Sequence, residues 1–327
     1  MADERATMFD LARETQNGKI IPVVHALAKS NPIFQDAPYF EANDTTSHVI
    51  ARDNAINGGS WRLINAGVDA TAGNSKQIRE FIGNYEGRLE VDEYLLKIAA
   101  DKAQFLRNRE YSHLEKSAQD IVDAMLYGNI GTDPQSFNGI LTRLALQSDT
   151  DEAGETLTHS YGGSTTLSSL IIVQWGEGNV YMTYPKGSRT VGIEREDRGI
   201  ERVDGSNSKA MYAYVIRYMY NGGLVIEDDR CIRRVANVEP TGTSNNFLDS
   251  SYGVDTLIDA IVSMKDAGEG AVIYMNKSLW GQLWKVAKDK TNVWFDKSNP
   301  WGARQYDFDG IPVRLLDNLI KTESAVS

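Results

Sequence analysis

Two clusters of carboxylates are the residues of this sequence best suited to acid–base chemistry. Glu194 and Glu196 lie in the first cluster, and Glu227 and Asp228 lie in the second. A hydrolase can use one carboxyl group as general acid and another as general base when the two flank the substrate. Arginines adjoin both clusters, so we interpret them as solvated faces or as ion pairs between subunits. A carboxylate hydrolase that combines Glu194 or Glu196 with Glu227 or Asp228 stays open as an alternative.

The histidines and the single cysteine form no pattern typical of a metal or nucleophile site. The four histidines lie far apart in the sequence, at His25, His48, His113 and His159. They lack i, i+4 spacing and nearby cysteine ligands, and Cys231 has no catalytic context. Phosphate-binding loops are absent too, since Gly176-Glu-Gly178 lacks the third glycine of a dinucleotide fingerprint. We therefore expect no catalytic residue, no metal and no cofactor.

Composition and charge indicate a folded, acidic chain. Its 327 residues are 41% hydrophobic, which is enough to bury a substantial core. The net charge of −11 repels polyphosphate, whereas a sequence-reading nucleic-acid binder carries a basic stripe. We expect no membrane span, because no window approaches about 18 consecutive apolar residues. We also expect no secretion signal, because the first ten residues are acidic where a signal peptide is basic.

The N-terminal quarter of the sequence predicts an arm followed by a hairpin. Residues 3–15 have the pattern of a short amphipathic helix, and residues 19–45 contain three prolines that favour an extended path. From His48 to about Phe81, short β-prone runs alternate with turn signals at 57–59 and 72–74. This pattern predicts a long, projecting two-stranded hairpin.

The remaining sequence predicts a helix, a sheet and a helical C-terminal part. No glycine or proline occurs between Arg88 and Tyr127, which predicts one very long helix or two joined helices spanning about 60 Å. Residues 149–166 are polar and predict an exposed loop. Apolar stripes then predict helices, and Asp309-Gly310 predicts a final hairpin. Antiparallel strands are expected at four β-type runs, at 170–175, 179–184, 211–220 and 224–238.

Several sequence motifs accompany this order of elements, and as a set they are specific enough to compare with known families. The motifs are Asn31-Pro-Ile33, Ser60-Trp-Arg-Leu-Ile-Asn65, Leu126-Tyr-Gly-Asn129, Ser136-Phe-Asn-Gly-Ile140, Tyr184-Pro-Lys-Gly-Ser188 and Gly222-Gly-Leu-Val-Ile-Glu-Asp228. As a set, they resemble the major capsid proteins of short-tailed phages of the epsilon-fifteen and Bordetella-phage type. The resemblance implies an α+β protein with the HK97-like, or Johnson, phage capsid fold.

The resemblance also implies a division into domains. Residues 1–45 would be an N-terminal arm and 46–88 an extended loop. Residues 89–160 with about 205–240 would form a peripheral domain that contains a spine helix, and about 161–204 with 241–327 an axial domain. A hairpin like Asp309-Gly-Ile-Pro-Val-Arg314 precedes the last long strands of the peripheral domain in most such proteins. Here it lies at the C-terminus, so we expect an altered strand order.

The function implied by the resemblance is structural. Copies would assemble as hexamers and pentamers into the icosahedral head of a virion, enclosing double-stranded DNA without sequence-specific binding. Assembly would take place in the host cytoplasm, with a separate scaffolding protein, a portal and a decoration or cementing protein as partners. The alternative within this fold is an encapsulin, a nanocompartment shell that loads enzymes.

The candidate site residues are contacts between subunits. In the hairpin, Trp61, Arg62 and Asn65 would clamp the spine helix of an adjacent copy. In the arm, Met8, Phe9 and Leu11 would dock on a neighbour. Some members of the fold cross-link a loop lysine to a neighbour's asparagine, and Lys76 is the lysine of this loop. We interpret Lys76 as a solvated side chain, because no receiving asparagine or promoting glutamate is identified.

Overall fold

A computed structural model gives the architecture of the chain. It describes residues 15–16, 19–20, 31–55, 58–70, 74–151, 153–188, 191–205, 209–249, 251, 253–289 and 307–327. The arm residues Met8, Phe9 and Leu11 lie outside these ranges.

The described residues form fifteen strands and six α-helices. The strands are β1 (Thr15–Gln16), β2 (Lys19–Ile20), β3 (Tyr39–Glu41), β4 (Ser47–Ala55), β5 (Asn74–Phe81), β6 (Gly83–Asp92), β7 (Thr158–Ser160), β8 (Ser168–Val173), β9 (Val180–Tyr184), β10 (Ile193–Asp204), β11 (Ala210–Ile226), β12 (Ile232–Val238), β13 (Val272–Met275), β14 (Asp307–Phe308) and β15 (Ile311–Leu315). The helices are α1 (Ile33–Asp36), α2 (Glu93–Ile98), α3 (Lys102–Tyr127), α4 (Ile140–Arg143), α5 (Asp255–Val262) and α6 (Lys277–Asp289).

The predicted hairpin is present. Strands β4 and β5 pair antiparallel, with Ser47 opposite Phe81 at the base. Residues 58–70 lie between the two strands and are exposed throughout. The C-terminal hairpin is confirmed as well: β14 and β15 pair around Asp309 and Gly310, which both have the positive φ that a tight hairpin turn requires.

The segment from Arg88 to Tyr127 contains a strand as well as helices, so the prediction of continuous helix there is wrong in part. Residues 88–92 complete β6, which pairs antiparallel with β11. The Asp92 carboxylate then accepts a hydrogen bond from the Tyr94 amide and caps α2. Asp101 caps α3 in the same way. The spine helix α3 therefore has 26 residues and spans about 39 Å, shorter than the sequence predicted.

A five-stranded sheet lies against the spine helix. Its order is β10-β11-β9-β3, and β6 also pairs with β11. Gly87 of β6 allows this packing, because a Cβ built there would lie 2.5 Å from Nε2 of His113 on the helix. Strand β10 was not predicted from the sequence, since its alternating charges lack an apolar face and it lies at the sheet edge.

A six-stranded sheet forms the centre of the main core. Its order is β14-β15-β13-β8-β12-β7. Every residue of β8 is buried, because Ile171 and Val173 face the core beneath the spine helix, while Leu170 and Ile172 face the core shared with α5 and α6. Burial on both faces explains why this strand reads as a continuous apolar run.

Two further expectations need correction. Residues 224–238 do not form one strand: the chain leaves β11 at Ile226, makes a short 3-10 turn at Asp229–Cys231 and enters the other sheet as β12. Residues 149–166 are not an exposed loop throughout. They include β7, which pairs parallel with β12, and the buried Asp151 and Tyr161.

The two sheets cross the domain boundaries expected from the resemblance. Strand β10 lies in the segment assigned to the axial domain, yet it pairs with β11. Strand β12 lies in the segment assigned to the peripheral domain, yet it pairs with β8. The division into domains therefore stays a prediction.

Candidate functional site

The hairpin ends in a compact, exposed turn, which we call the apolar tip (residues 58–70). Its side chains Trp61, Leu63 and Ile64 are 106%, 81% and 92% exposed. The Ala66 amide donates to the Leu63 carbonyl at 3.1 Å, and Asn65 takes the left-handed conformation (φ 69°) that asparagine tolerates.

The three predicted contact residues of the hairpin lie together on this tip. Arg62 donates from Nη1 to the Ala66 carbonyl at 3.2 Å, which holds it beside the turn that Asn65 makes. Trp61 precedes it and is fully exposed. Adjacent exposed apolar side chains of this size are typical of interaction sites. Whether these residues contact another copy stays a prediction.

The hairpin is fixed to the rest of the molecule on both strands, from its base at Ser47 and Phe81 to beyond the middle of β4. On β4, Arg52 donates to the carbonyls of Glu227, at 2.8 Å, and of Ile226, and pairs with Asp229 at 3.0 Å. On β5, the buried Glu80 forms a two-pronged ion pair with Arg143. Since these partners lie 63 to 177 residues apart in sequence, no local pattern could have predicted them.

A histidine adds a third contact at the hairpin base. His48 Nε2 lies 3.2 Å from the Tyr181 hydroxyl, which donates to Glu227 at 3.1 Å. Burial lowers the pKa of His48, although the carboxylates of Glu227 and Glu80 oppose that shift. The imidazole is therefore neutral at pH 7, and it takes part in hydrogen bonding at the joint between hairpin and sheet.

A groove runs between the spine helix and the start of β6, and we call it the spine groove. It has a volume of about 370 Å³. Its lining is Gly83, Asn84, Tyr85, Glu86, Asp120, Ile121, Ala124, Asp133, Gln135, Ser136, Phe137 and Tyr220. Three carboxylates and no basic side chain occur in this lining. Two of the carboxylates have cationic partners just outside it, since Glu86 pairs with Arg217 and Asp120 with Lys116.

A second cavity of about 530 Å³ lies beside the six-stranded sheet. Its lining includes the carboxylates of Asp151, Glu155 and Asp259, but also the cations of Arg230 and Lys265. Asp151 forms an ion pair with Arg233 at 2.6 Å, in which both side chains are fully buried. This cavity is therefore close to electrically balanced.

The carboxylate clusters are not brought together as an acid–base pair. Glu194 lies on β10 opposite Met219 of β11, whereas Glu227 follows the far end of β11. The eight residues from Met219 to Glu227 cover about 26 Å of strand, while the paired carboxyls of glycosidases lie about 5–10 Å apart.

Ion pairs within the chain account for much of the charge in these clusters. Glu196 lies 3.3 Å from Arg198 and 3.5 Å from Arg217. Asp228 pairs with Arg230 at 2.7 Å and lies 3.5 Å from Lys265. Both clusters thus have ion-pair partners within the same chain. From the sequence, ion pairs between subunits were also possible.

The other residues considered for chemistry have packing roles where the structure describes them, and His25 lies outside the described ranges. The His113 ring lies 5.1 Å from the Tyr218 ring, His159 lies 3.3 Å from the Ser263 hydroxyl, and Cys231 is buried. Burial raises the pKa of the Cys231 thiol to about 12, which makes it a poor nucleophile. Within the described ranges, no group of three or more His, Cys, Asp or Glu residues could hold a metal ion, and no helix is long and apolar enough to cross a membrane.

Comparisons with known proteins identify the family. The family model described as major capsid protein GP7 matches residues 15–327. No curated protein matches the chain. Among solved structures, that of bacteriophage Epsilon15 is similar over 100% of this chain and 98% of that chain, at 25% identity and a TM-score of 0.73.

Two more distant structures show lower similarity. The bacteriophage JBD30 capsid is similar over 90% of this chain and 92% of that chain, at 11% identity and a TM-score of 0.49. The SrpI encapsulin of Synechococcus elongatus is similar over 69% of this chain and 94% of that chain, at 10% identity and a TM-score of 0.45.

The match to the family begins at β1 and runs to the last residue, so it includes both sheets, the spine helix and the projecting hairpin. The Epsilon15 structure shares this α+β architecture over its full length. The chain therefore belongs to the family of the major capsid protein GP7 and has the HK97-like fold of phage capsid proteins.

Proposed function

We propose that copies of this chain assemble as hexamers and pentamers into the icosahedral head of a virion, which encloses double-stranded DNA. The observation that carries this proposal is the apolar tip, held away from the body of the subunit on a hairpin with a fixed base. Burial of Trp61, Leu63 and Ile64 is favourable, and it occurs only when another surface covers them. Repetition of that contact by every copy supports closure of a shell.

The chain acts in this proposal through geometry and not through catalysis. The separation of Glu194 from Glu227 argues against the hydrolase alternative. The net charge of −11 would keep packaged DNA from adhering to the protein. Assembly in the host cytoplasm, a scaffolding protein, a portal and a decoration protein belong to the same proposal and follow from the resemblance.

We also propose that the domain boundary follows the sheets. The peripheral domain would then consist of α2, the spine helix and the sheet of β6, β10 and β11. The axial domain would consist of the six-stranded sheet with α5 and α6. Tyr127 at the end of the spine helix donates to Glu323 at 2.9 Å, and Glu323 pairs with Arg234 of β12 at 2.9 Å, so the two parts share a buried polar joint.

Electron microscopy of the full chain, expressed with and without its candidate scaffolding protein, tests the proposal. Closed shells of uniform diameter are the expected result. Discrete small oligomers under both conditions would contradict it.

The arm residues are tested in the same assay. Phe9→Asp combined with Leu11→Asp should abolish shells, because two charges would replace the apolar side chains proposed to dock on a neighbour. Thr7→Asp combined with Gln16→Asp adds the same charge at polar positions and should leave assembly unchanged. Normal shells from the Phe9 and Leu11 variant would remove the arm from the proposal.

A further inference from the structure

We infer that strand β10 of one copy pairs antiparallel with β10 of a second copy, edge to edge across a twofold axis. The sheets of the two copies would then join into one continuous sheet. This inference rests on the proposed assembly, because an icosahedral shell has twofold axes between its capsomers, where the same patch of two subunits meets. It adds to that assembly a contact that does not involve the apolar tip.

Strand β10 lies at an open edge of the five-stranded sheet. Strand β11 pairs with one side of it, and no strand among the described residues pairs with the other side. Its twelve residues extend over about 40 Å. An edge of that length presents a row of unpaired amide and carbonyl groups, which can serve as a template for another strand. A second copy of the chain brings a strand of the same length.

A β-bulge decides which side chains of β10 share a face. Asp197 lies opposite Ile216 and Gly199 lies opposite Val215, so Arg198 is an extra residue without a counterpart on β11. Beyond the bulge, the alternation of the two faces is therefore shifted by one residue along the sequence.

The face of β10 toward the spine helix carries a charge pattern that is complementary to its own reverse. Arg195 of this face pairs with Glu110 of the helix at 2.7 Å, and the hydroxyl of Tyr214, which lies opposite Ile200, donates to Asp197. In chain order the face reads cation, anion, apolar, cation, anion. An antiparallel copy reads anion, cation, apolar, anion, cation. The five side chains are all exposed and are Arg195, Asp197, Ile200, Arg202 and Asp204.

Antiparallel pairing centred on Ile200 therefore places opposite charges together. Arg195 of one copy lies opposite Asp204 of the other, and Asp197 lies opposite Arg202. The twofold axis passes between the two Ile200 side chains and repeats both pairs, which gives four ion pairs around an apolar contact. Because Ile200 is 55% exposed in the single chain, pairing would also cover apolar surface.

Charge opposes the neighbouring registers. A slip by one residue would pair opposite faces of the strand. A slip by two residues in one direction places Glu201 opposite Glu201 and Asp197 opposite Asp204. A slip by two residues in the other direction places Arg195 opposite Arg202. Like charges directly opposite each other are destabilising, so the pattern specifies one register.

The charges select the register, while backbone hydrogen bonds and the covered isoleucines hold the strands together. Exposed ion pairs stabilise a contact little, because solvent and salt screen them. Arg202 can nevertheless enter such a pair without losing another, since no hydrogen-bond or ion-pair partner of Arg202 occurs in the part of the chain that the structure describes.

A single cysteine at the centre of the strand tests the pairing. Ile200→Cys places two thiols opposite each other, on Cα atoms about 4.5–5.5 Å apart, which is within the range of a disulfide. Mild oxidation should give a covalent dimer on a non-reducing gel. Asp204→Cys is the control and should give at least tenfold less dimer, because its two copies would lie about 26 Å apart along the strands. The native Cys231 is buried and does not interfere.

A mixture of two charge variants tests the register. On the Ile200→Cys background, Arg202→Glu alone or Asp197→Arg alone places like charges opposite each other twice in each dimer. Each should lower the dimer fraction by about fivefold or more. Coexpression of the two variants restores opposite charges in mixed dimers, and the fraction should return to within about twofold of Ile200→Cys alone.

Two comparisons separate this effect from other consequences of the substitutions. Asp197→Arg also removes the acceptor of the Tyr214 hydroxyl, but mixing does not restore that bond, so recovery reports on pairing between copies. Lys321→Glu, at an exposed position away from β10, makes the same change in net charge as Arg202→Glu. It should leave the dimer fraction within about twofold of Ile200→Cys alone.

Failure of this inference is distinguishable from failure of the proposed function. Shells in which Ile200→Cys gives no more dimer than Asp204→Cys, or in which mixing restores nothing, would overturn the edge pairing alone. A chain that gives the Ile200→Cys dimer but no shells would contradict the proposed function and leave the edge pairing in place. Absence of both shells and dimer would overturn both.

Discussion

Arg233 is among the largest fully buried side chains of the chain, and its charge is neutralised inside the core. Its guanidinium donates to Asp151 at 2.6 Å, to the Ser263 hydroxyl at 3.0 Å and to the Ile232 carbonyl at 2.8 Å. Burial of two charges is costly, so such a pair is tolerated only when every donor finds an acceptor. The pair therefore fixes where residues 149–157 lie against β12.

Asp151→Asn should lower the free energy of unfolding of the subunit by about 3–5 kcal/mol, because it leaves Arg233 buried without a counter-charge. Asparagine keeps a carbonyl oxygen for the amides of Ala153 and Glu155, so the effect reports mainly on charge. Urea denaturation of unassembled subunits measures it.

The control removes a carboxylate from an exposed ion pair. Glu93 pairs with Lys97 at 2.7 Å, one turn apart on α2, and the two side chains are 30% and 61% exposed. Glu93→Gln should therefore cost less than about 1 kcal/mol. Equal losses for the two variants would show that the buried charge at Arg233 is not what destabilises the subunit.

Among the elements, the hairpin depends most on a few polar contacts with the body of the subunit. Arg143 connects it to the body, since it binds Glu80 of β5 and donates to the carbonyls of Asn138 at 3.3 Å and Leu224 at 3.2 Å. A lysine at this position cannot make two parallel bonds to a carboxylate.

Arg143→Lys should increase amide hydrogen exchange in β4 and β5 by about tenfold, which corresponds to a loss of about 1.4 kcal/mol in local stability. Exchange in the buried β8 should not change, because that strand lies in the main core. Mass spectrometry of peptides from both regions measures the difference.

Arg79→Lys, an exposed position on β5, is the matched control and should behave like wild type. Uniform acceleration in both regions would mean that Arg143 stabilises the whole subunit instead.

The elements also show how far the sequence could predict the fold. Turn residues predicted both hairpins, because their conformational preferences are local. The helix predicted over 88–127 was too long, since residues 88–92 belong to β6. The absence of glycine and proline permits a helix there but does not exclude the pairing of β6 with β11. Strand β10 was not predicted, because it has no apolar face that would mark it in the sequence. Its register is set by pairing with β11. The tip residues could be selected as candidate contacts from their residue types and their position in the hairpin. The spine groove could not be predicted, because its lining comes from segments that only the fold brings together.

For the whole molecule, the net charge of −11 opposes assembly, while burial of the apolar tip against another copy would, in the proposed function, favour it. Repulsion between copies acts through solvent and is screened, since the Debye length falls from about 10 Å at 0.1 M salt to about 3 Å at 1 M. Burial of apolar surface is not screened and is the dominant favourable contribution to most protein association.

Salt should therefore promote assembly of purified subunits. Between about 0.05 M and 0.5 M NaCl, the subunit concentration at which light scattering detects shells should fall by about threefold or more, because repulsion is screened over that range. The exposed-site variant Glu177→Lys with Glu269→Lys provides the control: each exchange replaces a negative charge by a positive one, so the net charge changes from −11 to −7. Its assembly should begin at lower salt and depend less on salt. A threshold that rises with salt would mean that exposed ion pairs between copies, rather than the apolar tip, hold the shell together.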